Sequence, residues 1–169
     1  MEVRAARKVS SDLTGLAVKI ECRPWPPSTT QPRRKLHARI DALTPELKPM
    51  WGRMSVGQML VHCDGHLRHS LGEHLTPVNK PIRFFPLNLL AIYVLPTPKG
   101  LPTMNEVRDP VAGPFEEERA RLKQDLERLA AVPPSTRMPV HAAFGKIGHH
   151  AHGTLAHNHL DHHLKQFGV

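Results

Sequence analysis

The chain has 169 residues, of which 40% are hydrophobic, 22% are charged and 5% are aromatic, and its net charge is +8. This composition is typical of one globular domain and excludes an intrinsically disordered chain. The two cysteines, Cys22 and Cys63, are too few for a disulfide framework. We therefore expect a reduced, cytoplasmic protein, and the sequence leaves open one disulfide between these two cysteines.

The sequence predicts neither a membrane-spanning nor a secreted protein. No segment has the ~20 consecutive apolar residues that cross a bilayer. The most apolar stretch, residues 84–95, is interrupted by Pro86 and Asn88 and followed by Pro96, which suits a buried helix or a core segment. The basic N-terminus lacks the compact apolar region of a secretory signal.

Residues 1–32 are predicted to form a basic, proline-rich and poorly ordered extension ahead of a domain that spans residues 33–169. Residues 1–35 hold eight basic and three acidic side chains, residues 15–22 alternate like a single strand, and residues 23–32 read as a linker. A basic arm can contact nucleic acid, but a solvated tail is the more ordinary interpretation. Because the sequence has no nucleic-acid-binding motif, we do not expect nucleic acid to be a partner.

The domain is predicted to begin with a helix from Arg33, because apolar residues recur at helical spacing from Leu36 to Leu43. Thr44 and Pro45 predict a short turn after it.

The clearest helix start lies at Ser55. Ser55 and Gln58 match a capping box, Met54 and Met59 match a hydrophobic staple, and Gly72 can close the helix. The apolar stripe of this helix consists of Val56, Leu60, Cys63, Leu67 and Leu71.

Two further helices are predicted beyond the proline-rich residues 76–113. The first begins at Pro114 with acidic residues in its first turn and stops at Pro133, and the second runs from about Gly148 to Phe167 and is closed by Gly168. Four main helices predict an all-α four-helix bundle, with a long crossover that contains the apolar segment.

Histidine is the outlying residue type, with 13 copies. His159 and His163 are spaced i, i+4 on the apolar side of the last helix, where two imidazoles can meet one metal ion. The ordinary alternative is a pair of hydrogen-bonded core histidines. Two histidine-bearing helices in one bundle are the arrangement from which core metal sites are built.

The histidines of the Ser55 helix are harder to interpret. His62, His66 and His69 form a row that lies largely opposite the apolar stripe, so periodicity predicts a solvated face and does not choose between His62 and His66. Cys63 lies on the apolar side and is expected to be a core residue.

Four segments of the chain, Trp51–Cys63, Leu95–Thr103, Phe144–Ile147 and His159–Val169, share a recognisable pattern. The most specific is the last, His-Leu-Asp-His-His-Leu-Lys-Gln-Phe-Gly-Val. From about Arg33 onwards, the chain resembles a branch of the DinB-like (DinB/YfiT) superfamily.

This resemblance implies a four-helix bundle that binds one divalent metal ion, with His62, His159 and His163 as ligands. Characterised members include metal-dependent thiol transferases and a thiol-dependent isomerase. It therefore implies a metal-dependent enzyme in which Zn, Ni or Fe activates a thiol cosubstrate or a water. A small-molecule substrate, such as a low-molecular-weight thiol, is the expected partner, and a homodimer is left open.

The chain also departs from the family pattern. Residues 1–32 have no counterpart, and His152 and His157 stand where relatives have large aromatic residues, which leaves His152 open as a fourth ligand. His66 and His162 are candidate general bases by proximity in sequence only, so no catalytic residue is assigned. The alternative function is a non-enzymatic, metal-binding or stress-response bundle.

Overall fold

The computed structural model describes residues 30–73, 86–94 and 110–169. Within these ranges the chain forms five α-helices and no strand, which confirms the predicted all-α class. The extension through residue 29, with its predicted strand, and most of the proline-rich crossover lie outside the described residues. The helices are α1 (Thr30–Asp41), α2 (Val56–Ser70), α3 (Leu87–Tyr93), α4 (Phe115–Ala131) and α5 (His149–Gln166).

Helix α1 begins at Thr30, ahead of the predicted start at Arg33. Its apolar residues are buried as the spacing predicts, and it packs against α4 and α5. After the helix ends, the Leu47 amide donates a 3.2 Å hydrogen bond to the Thr44 carbonyl, which forms the short turn expected there.

The capping box at the start of α2 is present in full. Ser55 Oγ accepts a 3.2 Å hydrogen bond from the Gln58 amide, and Gln58 Oε1 accepts a 2.9 Å hydrogen bond from the Ser55 amide. Two backbone donors that the first helical turn leaves unpaired are thus satisfied. Gly72 follows the helix with φ +89°, a backbone conformation that favours glycine.

Helix α2 is buried on more than one side because it packs against both α4 and α5. Its apolar stripe lies in the core, and His62, Asp64 and His69 are buried as well, with 2–3% exposure. The prediction of a solvated histidine face is therefore wrong for His62 and His69. Burial, together with a hydrogen bond to Asp125 of α4, raises the pKa of Asp64 to about 7.

Helices α4 and α5 supply most of the remaining core. Helix α4 follows Pro114 and ends before the prolines at 133 and 134, and α5 ends at Gln166 with Gly168 at φ +77°. The fully buried apolar side chains of the two helices are Leu122, Leu126, Leu129, Ala156, Leu160 and Leu164.

Helix α3 lies on α5 and fills only part of the predicted apolar segment. Asn88 and Ile92 are buried, and Asn88 Nδ2 donates a 3.3 Å hydrogen bond to the Phe144 carbonyl. Leu87, Leu90 and Val94 are about half exposed, so the segment is not a fully buried helix. No helix among the described residues is long and apolar enough to cross a membrane.

We predict that Ser55→Ala lowers the free energy of unfolding by about 1 kcal/mol, because the capping hydrogen bond to the Gln58 amide is lost. Urea denaturation measures the change. Ser135→Ala, at an exposed loop position, is the matched control and should change stability little. Equal stabilities for the two variants would show that the cap does not contribute.

Candidate metal centre

Three histidines from two helices converge at the interface of α2 and α5. One side-chain donor atom from each of His62, His159 and His163 lies within 4.8 Å of the other two. His62 Nε2 and His159 Nε2 are 3.0 Å apart. Among the described residues, this is the set of histidine, cysteine and acidic side chains that can hold a metal ion.

The helix geometry explains the convergence. His159 and His163 are one turn apart on α5 and present their rings to the same neighbour. That neighbour is α2, whose His62 ring lies 4.9 Å from the His159 ring and 4.8 Å from the His163 ring, centroid to centroid. The structure thus brings together the three residues that the resemblance implies as ligands, and it places His62, rather than His66, with the α5 pair.

The donor atoms fit a first-row metal ion. Bonds of about 2.0–2.1 Å to imidazole nitrogens in a tetrahedral arrangement place those nitrogens roughly 3.3 Å apart. The 3.0 Å contact lies close to this separation, and the 4.8 Å limit is within reach of small side-chain rotations. Three histidine ligands leave a coordination position for an exogenous ligand, as in catalytic zinc sites.

Two of the three histidines of the site, His159 and His163, are uncharged at neutral pH, as metal ligands must be. Burial, with neighbouring His66 and His163 adding to it, lowers the pKa of His159 well below its usual value. Burial also lowers the pKa of His163 to about 4, although its hydrogen bond to Gln166 opposes the shift. Both imidazoles therefore keep a nitrogen lone pair available at pH 7.

Gln166 is hydrogen-bonded to Nδ1 of His163. The sequence analysis did not identify this residue. His163 Nδ1 donates a 2.8 Å hydrogen bond to Gln166 Oε1, which leaves Nε2 as the ring nitrogen with a lone pair. Hydrogen bonds of this kind fix the tautomer of metal-binding histidines. The available signal was the spacing, since glutamine follows histidine by three residues on one helix face.

The two candidate general bases, His66 and His162, lie next to the three candidate ligands but do not belong to that set. The His66 ring stacks on the His159 ring with centroids 4.1 Å apart. The His162 ring meets the His163 ring edge-on at 5.1 Å and the Trp51 ring at 5.7 Å. Neither belongs to the set whose donor atoms lie within 4.8 Å of one another.

A second histidine cluster lies beside the metal centre and is held by the backbone. His69 Nε2 accepts a 3.0 Å hydrogen bond from the Ala142 amide, and His152 Nε2 donates a 3.2 Å hydrogen bond to the Pro139 carbonyl. The ring of His141 lies between them, with centroids 4.9 Å from His69 and 5.6 Å from His152.

The hydrogen bonds of His141 argue against a second ion in this cluster. Its Nδ1 accepts the amides of Ala143 and Phe144 at 3.2 and 3.3 Å, so the neutral ring carries its proton on Nε2. His152 contacts this ring and belongs to this cluster, and it does not join the three ligands. The sequence analysis missed His141 because it lies in a segment without periodicity.

Cys63 is a core residue, as predicted, and is a free thiol. Its Sγ lies 3.7 Å from Met59 Sδ. Burial, and secondarily the charge of Asp64, raises the pKa of this thiol far above its usual value, so it is not an activated nucleophile.

Comparison of the chain with protein-family models, curated proteins and solved structures gives no significant match.

We predict that His152→Gln makes the metal-free protein less sensitive to acid. Burial lowers the pKa of His152 from 6.5 to about 4, so below pH 6.5 the unfolded state binds a proton that the folded state excludes. This proton removes about 2 kcal/mol of stability at pH 5 relative to pH 7. The raised pKa of Asp64 makes the folded state more stable as the pH falls, but this effect is the same in the wild type and in His152→Gln.

Urea denaturation with a chelator at pH 7 and pH 5 measures the effect. The difference between the two pH values should be smaller in His152→Gln than in the wild type, by about 2 kcal/mol. His150→Gln, at an exposed position of the same helix, should leave it unchanged. An equal pH dependence in wild type and His152→Gln would contradict the buried, neutral state of this histidine.

Proposed function

We propose that this protein is a metal-dependent enzyme of the DinB-like kind, with His62, His159 and His163 as the ligands of one divalent metal ion. The observation that carries the proposal is the convergence of their three donor atoms within 4.8 Å of one another. Two of the three are buried, and no carboxylate or thiol belongs to the set, so neutral imidazoles alone would bind the ion.

The fold proposed with this function is a four-helix bundle made of α1, α2, α4 and α5, with α3 inside the crossover between α2 and α4. It is supported by the contacts of α2 with α4 and α5, and of α1 with the same two helices. In such bundles the ligands project inward from facing helices, as His62 of α2 and the two histidines of α5 do.

The chemistry proposed is activation of a thiol cosubstrate or a water, in transfer of a low-molecular-weight thiol or in hydrolysis. When bound, an ion with three imidazole ligands acts as a Lewis acid that lowers the pKa of the molecule in its remaining position. Imidazole suits Zn, Ni and Fe, and we propose an ion of this group. The chain itself supplies neutral ligands and the fixed orientation of His163.

A non-enzymatic metal-binding bundle is the alternative, and the additional buried histidines are the observation in its favour. In His69, His152 and His141, however, one ring nitrogen bonds to the backbone, at Ala142, Pro139 and Ala143 respectively. These bonds give the second cluster a structural role. They support one tightly bound ion per chain over the several weakly bound ions that a metal buffer needs.

We predict that the untagged protein binds about one equivalent of divalent metal, because one set of three ligands is present. His62→Ala, His159→Ala and His163→Ala should each lose most of it, as measured by elemental mass spectrometry after dialysis. His150→Ala, on the exposed part of α5, is the matched control and should retain the ion.

A wild-type protein that retains no metal after reconstitution would contradict the proposed function. Several weakly held equivalents that survive all three substitutions would favour the metal buffer. With one equivalent established, a thiol-transfer and hydrolase screen compares wild type with His159→Ala, and activity that is equal in the two would show that the ion is not catalytic.

A further inference from the structure

Gln166 is the point at which the loop before α2 meets the candidate metal centre. Its side chain is 3% exposed and is hydrogen-bonded at both ends of the amide. Oε1 accepts from His163 Nδ1 at 2.8 Å, and Nε2 donates to the Trp51 carbonyl at 2.6 Å. Its own backbone carbonyl accepts from the Met50 amide at 2.8 Å.

The Trp51 carbonyl determines which way the amide points. A carbonyl oxygen can only accept a hydrogen bond, so the amide must direct Nε2 towards it. Oε1 is then directed at His163, where it can be paired only by an Nδ1 that carries a proton. The lone pair of His163 consequently lies on Nε2, the nitrogen available to the metal. The orientation of this ligand is thus set from a backbone group of the loop.

Gly52 makes the close approach of the loop to the amide feasible. Its φ of +81° is in the left-handed region, and a Cβ at this position would lie 2.7 Å from Gln166 Nε2. The loop also reaches the site through the side chain of Trp51, whose ring meets the His162 ring at 5.7 Å, while His162 meets His163 at 5.1 Å.

We propose that Gln166 is a positioning residue that fixes the metal-binding tautomer of His163 and couples occupancy of the metal centre to the position of the Trp51 indole. This proposal rests on the proposed function, since it requires an ion bound by His163. It adds a link from the metal to a half-buried aromatic side chain at the edge of the site. Metal binding should therefore change the environment of the Trp51 indole and hence its fluorescence.

The test separates the two halves of the amide. Gln166→Leu removes both hydrogen bonds, whereas Gln166→Glu keeps an acceptor for His163 Nδ1 and loses the donor to Trp51. Gln124→Leu, the same substitution at an exposed position of α4, is the matched control. All variants are made in a Trp25→Phe background, so that Trp51 is the remaining tryptophan.

Cobalt titration followed by visible absorption should show roughly 10- to 100-fold weaker binding in Gln166→Leu, as for other groups that orient metal ligands. Gln166→Glu should bind cobalt within a few-fold of the wild type and with a similar spectrum. Zinc should shift the Trp51 fluorescence of the wild type and of Gln124→Leu, and should shift it much less in Gln166→Glu.

Three results bear against the proposal or its basis. If the wild type binds no cobalt, the proposed metal centre fails and this inference fails with it. If the wild type binds cobalt and Gln166→Leu binds it equally well, only the role of Gln166 is overturned. If Gln166→Leu and Gln166→Glu are impaired equally while urea denaturation shows both to be folded, the hydrogen bond to His163 is not what positions the ligand.

Discussion

A continuous set of ring contacts joins seven histidines at and beside the α2–α5 interface: His62, His66, His69, His141, His152, His159 and His163. An imidazole ring is costly to bury when it is charged or unpaired, so burial of these rings favours partners for their nitrogens. The structure supplies such partners in two ways. His69, His141 and His152 each bond to the backbone after Met138 through one ring nitrogen. His62, His159 and His163 bring donor atoms within 4.8 Å of one another, where a metal ion can bind them, and His66 stacks on His159 beside them.

This division gives the region its functional character. The backbone hydrogen bonds of His69, His141 and His152 hold the rings of the second cluster. The His66 ring packs on His141 of this cluster and also stacks against His159. Gln166 performs the corresponding task for His163 from the other side. Two of the three candidate ligands, His159 and His163, therefore contact neighbours that help to position their rings, as in preorganised metal sites.

Much of this arrangement could be predicted from the sequence, and the failures have physical causes. The capping box at Ser55 and the stripe of α5 are local patterns, so the start of α2 and the inward direction of His159 and His163 could be predicted from spacing alone. Periodicity failed for His62 because α2 is covered by two helices, and a single apolar stripe cannot reveal a second buried face. The spacing of His163 and Gln166 is a local signal, but the contact of Gln166 with Trp51 and that of His141 with His69 join distant segments, which no local pattern encodes.

Anomalous diffraction from crystals grown with zinc or cobalt would show directly which side chains bind the ion. We expect one strong peak between α2 and α5, bonded to the Nε2 atoms of His62, His159 and His163, with the second cluster free of metal. A peak bonded to His66, His141 or His152, or peaks confined to exposed histidines such as His150, would contradict this expectation.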